Sequence, residues 1–116
     1  MAFDEANKRL FIGCREPARL VVLDTFSGRT VTDLAISDDT DDLFYDAERR
    51  RLYVSCGEGF IDVIQQQNAD RYERVQRVAT RLGARTSFFS PELNELFLAV
   101  PMHNRQGAEL RVFKAD

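Results

Sequence analysis

The chain has 116 residues, 44% of them hydrophobic and 30% charged, a balance that excludes a disordered tract and suits one globular unit of ordinary size. The net charge is −3 and the 16 basic residues are spread along the chain, so there is no electrostatic case for nucleic acid or an anionic membrane as partner. No apolar stretch approaches the roughly 20 residues of a membrane helix, and Met1-Ala2-Phe3-Asp4-Glu5 lacks the basic-then-apolar order of a signal peptide.

Taken in chain order, the predicted elements repeat. A strand a at 1–4 precedes a strand b at 9–14 carrying Arg9-Leu10-Phe11-Ile12. Strand c at 19–24 carries Leu20-Val21-Val22-Leu23, and strand d follows at 31–36. The cycle then restarts. Strand a at 43–46 ends in Tyr45-Asp46, and strand b at 51–56 reads Arg51-Leu52-Tyr53-Val54. Strand c at 60–65 contains Ile61-Asp62-Val63-Ile64, and strand d covers 73–79. A third cycle gives a at 86–90, b at 95–100 and c at 109–113, with no fourth strand. Leu10, Leu52 and Leu96 mark the offsets, 42 and then 44 residues. Short β-branched and aromatic runs between turn residues such as Ser27-Gly28, Gly57-Glu58-Gly59 and Ser90-Pro91 read as strands.

A period near 42 with four strands per copy is the pattern of a β-propeller blade. The expected fold is all-β: a partial β-propeller with antiparallel four-stranded blades at about 1–40, 41–84 and 85–116, the last lacking its outer strand. Two segments compete locally. Asn68 could cap a helix running to Leu82 with Gly83 as its stop, and Ser90-Pro91-Glu92 could open another. The repeat outvotes both, because Val75…Val78-Ala79 aligns with Val31…Leu34-Ala35, a poor helix.

These residues resemble the YVTN-type forty-residue propeller repeat family. The matching pieces are Tyr45-Asp46…Arg51-Leu52-Tyr53-Val54-Ser55, Asp24-Thr25…Gly28…Val31 and Phe89-Ser90-Pro91-Glu92…Leu96-Phe97-Leu98-Ala99-Val100. The resemblance covers nearly the whole chain. It implies a propeller of the kind found in bacterial and archaeal surface and periplasmic proteins, in scaffold or ligand-binding roles. It brings no catalytic motif to these residues, and no cofactor is expected.

Isolated blades cannot bury their own apolar faces, and natural rings hold roughly four to eight of them. The expected partner is therefore a second copy of the chain, two copies closing a six-bladed ring by twofold symmetry, or else the remainder of a longer propeller.

Candidate functional residues cluster on loops. Asp38, Asp39, Asp41, Asp42 and Asp46 form an acidic cluster at the strand d to strand a loop, a density that invites calcium, but their spacing is not that of an EF-hand and a solvated turn is the favoured reading. Asp41 aligns with Arg85 at offset 44, and the two are expected to pair across a blade boundary. Loops of types d–a and b–c should emerge on one face of the ring. The expected ligand-binding residues at that channel mouth are Asp39, Asp41, Asp42, Arg81, Arg85, His103 and Arg105. His103, the only histidine, has no nucleophile or carboxylate at recognisable spacing. Cys14 and Cys56 sit at equivalent repeat positions in sheets stacked about 10 Å apart, too far for a disulfide, and two thiols alone hold no metal. The favoured reading is a non-catalytic propeller module. The alternatives are a channel-mouth enzyme of lactonase-like or cofactor-dependent oxidoreductase type, and an engineered or excised fragment without its own activity.

Overall fold

The computed structural model describes residues 1–116 and contains eleven strands and no helix. The first sheet holds β1 (Ala2–Asp4), β2 (Arg9–Arg15), β3 (Ala18–Asp24) and β4 (Thr30–Ala35). The second holds β5 (Thr40–Asp46), β6 (Arg51–Cys56), β7 (Phe60–Asn68) and β8 (Arg71–Ala79). The third holds β9 (Thr86–Ser90), β10 (Glu95–Val100) and β11 (Glu109–Lys114). Within each sheet the strands pair antiparallel in sequence order. The chain is thus a partial β-propeller of two four-stranded blades and one three-stranded blade.

The predicted strands all form, most within two residues of their expected ends. Neither of the two competing helices forms, as the repeat requires. Residues 71–79 are strand, not helix: β8 pairs with β7 from Asn68↔Arg71 to Phe60↔Ala79, and Tyr72 turns inward to meet Phe11 edge-on at 5.6 Å. Ser90-Pro91-Glu92 opens a turn instead of a helix, closed by the Leu93 amide donating to Ser90 Oγ at 3.2 Å. In β8, pairing along β7 and the packing of Tyr72 on Phe11 of blade 1 override local helix propensity.

That turn is one of three equivalents. Asp4, Asp46 and Ser90 are each buried at the end of strand a and accept from amides three residues on, those of Asn7, Arg49 and Leu93. Lys8, Arg50 and Asn94 follow in the left-handed region at φ 58°, 54° and 56°, the bend that returns the chain as strand b.

Cross-strand partners share a sheet face, and the registers give each blade two faces. The forward face of blade 1 carries Phe11, Leu20 and Val22, and the backward face of blade 2 carries Leu43, Leu52, Val54, Cys56 and Ile64; together they are one buried layer. Tyr53, Ile61 and Val63 of blade 2 form the second layer with Phe89, Leu96, Leu98 and Val100 of blade 3.

Polar clasps close the a–b edge of both layers. At the first interface Gln66, 1% exposed, donates to Asp4 Oδ2 at 2.8 Å and accepts from the Tyr45 hydroxyl at 2.6 Å. At the second, Tyr53 donates to Asp46 at 2.7 Å, and Arg49 bridges Asp46 and Asn94 at 3.2 and 3.1 Å. Burial raises the Asp4 carboxyl, but the bonds from Asn7 and Gln66 outweigh it and hold the group below its ordinary 3.8. A carboxylate depressed in the folded state contributes stability that is complete above its unfolded value and is lost as pH falls through the folded one. Urea titrations of the wild type are therefore expected to lose stability as pH is lowered through and below about 4, and the Asp4→Asn variant to lose less over the same window. Equal acid sensitivity in the two would show that the Asp4 clasp carries none of it.

Candidate functional site

The d–a and b–c loops meet along one edge, as their periodicity implies. The Gly57 amide donates to the Asp39 carbonyl at 2.7 Å, the Gly83 amide to the Gly57 carbonyl at 2.7 Å, and the Thr80 amide to the Gly59 carbonyl at 2.8 Å. Gly57 leaves room for Asp39: a Cβ there would lie 2.0 Å from Asp39 Oδ2, and that side chain would have to move. Asp39 itself turns the chain at φ 60°.

The structure gathers Asp39, Asp41, Asp42 and Arg85 here, with one correction to their pairing. Arg85 Nη1 meets Asp39 Oδ2 at 3.1 Å, whereas Asp41 is held by Arg15 of blade 1 at 3.4 Å. Arg15 also donates to the Thr40 carbonyl at 2.8 Å and lies 4.0 Å from Asp39. Asp41 and Arg85 therefore do not pair with each other. A β-bulge between Thr40 and Leu43 is the physical reason: the one extra residue turns Asp41 toward the preceding blade and leaves Asp39 to the following one. Asp41 and Asp42 lie inside β5 instead of in a loop, and Asp42 accepts the Ser87 amide at 2.8 Å. These carboxylates are engaged by guanidinium and amide donors. No group of three or more His, Cys, Asp or Glu side chains comes together in metal-ligating geometry.

Arg81, His103 and Arg105 lie farther along the same edge. Arg81, 9% exposed, donates to the carbonyls of Gly107 at 2.7 Å and Pro101 at 3.2 Å and meets Glu109 at 3.3 Å. It anchors the long b–c loop to blade 2. That loop is a small hairpin in which His103 and Gln106 exchange backbone bonds of 3.0 Å around Asn104 at φ 55°, with Arg105 exposed at its tip. Glu109, held first by its bond from Arg111, sits below its ordinary carboxyl value.

The most buried charge on this edge is Asp62, which reasoning from the sequence passed over as a strand residue. Its side chain is wholly buried. The Ser37 amide and hydroxyl of blade 1 donate to its two oxygens at 2.7 and 2.8 Å. Arg74 approaches at 3.6 Å and Arg77 at 3.9 Å. Arg77 also binds Ser37 Oγ and Glu58 and lies 3.7 Å over the Phe60 ring, a cation–π contact. The available signal was a lone carboxylate in an apolar strand where the first copy has Val21. Ser37 and Arg81 are repeat equivalents, 44 residues apart, so each interface has a staple here: Ser37–Asp62–Arg77 at the first, Arg81–Glu109–Arg111 at the second.

Removing one member of a buried, hydrogen-bonded charge cluster costs about 3–5 kcal/mol, whereas exposed ion pairs contribute about 0–1 kcal/mol. Asp62→Ala is expected to lower unfolding free energy by about 3 kcal/mol, and Asp39→Ala by no more than about 1 kcal/mol, both read by urea denaturation. Equal losses would remove the distinction between staple and surface pair.

No family model matches the chain, and no curated protein matches it in sequence. Among solved structures it is similar to a chain of Kuenenia stuttgartiensis hydrazine synthase, with 18% sequence identity and a TM-score of 0.83. The match covers 97% of this chain and 32% of that one, so this chain spans about a third of its neighbour's length. At that identity the likeness is one of fold. Repeat, sheet order and neighbour together establish a propeller-type arc of stacked antiparallel blades.

Proposed function

We propose that the chain is a non-catalytic propeller module of the YVTN repeat type, a scaffold or binding unit that completes its ring with a second copy of itself. One observation carries this reading: the open faces repeat the chemistry of the buried ones. The forward face of blade 3 presents Phe88, Phe97, Leu110 and Val112, where blade 1 presents Ala2, Phe11, Leu20 and Val22. The backward face of blade 1 presents Phe3, Leu10, Ile12, Cys14 and Leu23, where blade 2 presents Tyr45, Leu52, Val54, Cys56 and Ile64. Phe88 is 60% exposed, Leu110 64% and Phe3 47%, an apolar surface of the kind that marks an association site. A second copy brings to each open face the kind of surface that covers it inside the chain, and twofold closure uses both at once. The engaged charges of the loop edge favour a scaffold or binding role over catalysis.

The test is the absolute mass in solution by light scattering behind a sizing column. Twice 13.3 kDa is expected for the wild type and 13.3 kDa for Leu110→Glu with an unchanged circular dichroism spectrum. Thiol labelling gives a second readout. Cys14, on the open face, is expected to be shielded in the wild type and reactive in Leu110→Glu. Cys56, buried and pushed up to about 12 by that burial and by Asp62, stays unreactive in both. A folded wild-type monomer with a freely reactive Cys14 overturns self-closure.

A further inference from the structure

Equivalent strand ends show where the third copy departs from the other two. Cys14↔Arg19, Cys56↔Phe60 and Val100↔Glu109 are the same pairing in successive blades. The b–c connection between them is residues 15–18 in the first blade, 57–59 in the second and 101–108 in the third. Where the second copy has Glu58 alone between Gly57 and Gly59, the third has Met102–Gly107 between Pro101 and Ala108. This insertion has a shape of its own. It closes through the His103–Gln106 backbone bonds, turns at Asn104, and is fastened to blade 2 by Arg81 on the Pro101 and Gly107 carbonyls. Blade stacking does not call for it, since the first two copies stack with shorter loops. Insertions confined to one copy of a repeat gather on the face that binds.

Its charges also differ from those of the surrounding edge. Arg15, Arg77, Arg81 and Arg85 each meet a carboxylate. Residues 101–108 contain no carboxylate, and Arg105, exposed at the tip, meets none from elsewhere. Met102, where the hairpin begins, is 71% exposed. Leu82, next to the glycine that lies against Pro101, is 55% exposed. We infer that this hairpin is the recognition tip for another protein, and that it takes a segment in which an aliphatic residue stands beside a carboxylate. The aliphatic side chain covers Met102 and Leu82. The carboxylate satisfies Arg105, whose planar guanidinium holds it with two parallel bonds. A small anion would use Arg105 alone and leave the apolar pair uncovered.

Completion of the ring does not use up the tip. The loop that follows blade 2 meets the two ends of that blade's b–c connection, the Gly83 and Thr80 amides donating to the Gly57 and Gly59 carbonyls. The counterparts in blade 3 are Pro101 and Ala108, and residues 102–107 lie between those two points. The inference therefore holds whether blade 3 is followed by more of the same chain or by a second copy. It rests on the binding-unit part of the function proposed above and not on self-closure.

The probe is a random peptide library displayed on phage, selected against the 116-residue chain, with enriched sequences remade as fluorescent peptides. Enrichment of Asp or Glu next to Leu, Ile or Val is expected, with saturable binding by anisotropy. Arg105→Glu and Met102→Asp are each expected to weaken binding by about tenfold or more, with unchanged circular dichroism spectra, and Arg105→Lys to weaken it less. Phe26→Asp, 95% exposed in the c–d turn of blade 1, is expected to leave binding intact. No enriched sequence, enriched sequences without a carboxylate, or competition by acetate as effective as by unlabelled peptide would each overturn the inference. Peptides that bind the Arg105→Glu and Met102→Asp variants as well as the wild type would overturn the tip while sparing the binding-unit reading. The mass in solution reports on ring closure, so that proposal stands or falls separately.

Discussion

A twisted sheet with apolar side chains on both faces is stable only when both faces are covered, and everything in this chain follows from that. The repeat places a leucine and an aromatic side by side in each strand b, as Leu10-Phe11, Leu52-Tyr53 and Leu96-Phe97, so every blade offers one layer forward and one backward. Two layers close, Phe11–Leu20–Val22 on Leu52–Val54–Ile64 and Tyr53–Ile61–Val63 on Leu96–Leu98–Val100. Burying a side chain of this size contributes about 1.5–3 kcal/mol, so each layer outweighs any ion pair at its rim. It also decides local conformation, holding residues 71–79 extended despite their helical pattern.

Where the apolar layers end, polar clasps take over, and their chemistry varies while their positions do not. Asp4 with Gln66 and Asp46 with Arg49 clasp the a–b edge. Ser37 with Asp62 and Arg81 with Glu109 clasp the opposite edge. Buried polar groups must be satisfied or they cost stability, so each clasp admits few partners and fixes the stacking register that nonspecific apolar contact leaves loose. Asp62 is the strongest case, since a wholly buried carboxylate is tolerated only where donors converge on it.

The same economy explains the loop edge. Carboxylates that look available in the sequence are engaged by neighbouring blades: Asp39 by Arg85, Asp41 by Arg15, Asp42 by the Ser87 amide. The charged edge thus serves to hold blades together.

The number, order and kind of strands were legible in the sequence because the pattern is carried by local chemistry written three times: alternating apolar residues, a polar turn, a return. Turn residues such as Asp4, Asp46 and Ser90 belong to the same local code. So does the expectation that equivalent loops gather at one edge. Partner choice was not legible. Asp41 was expected to meet Arg85, and a one-residue bulge in β5, invisible to repeat alignment, gave Arg85 to Asp39 instead. The roles of Asp62 and Arg81 also escaped, because a side chain's partner across a blade boundary depends on how two sheets are rotated and staggered. Periodicity is a property of one strand and is set by the chain. Pairing across blades is a property of two sheets, and only their packing decides it.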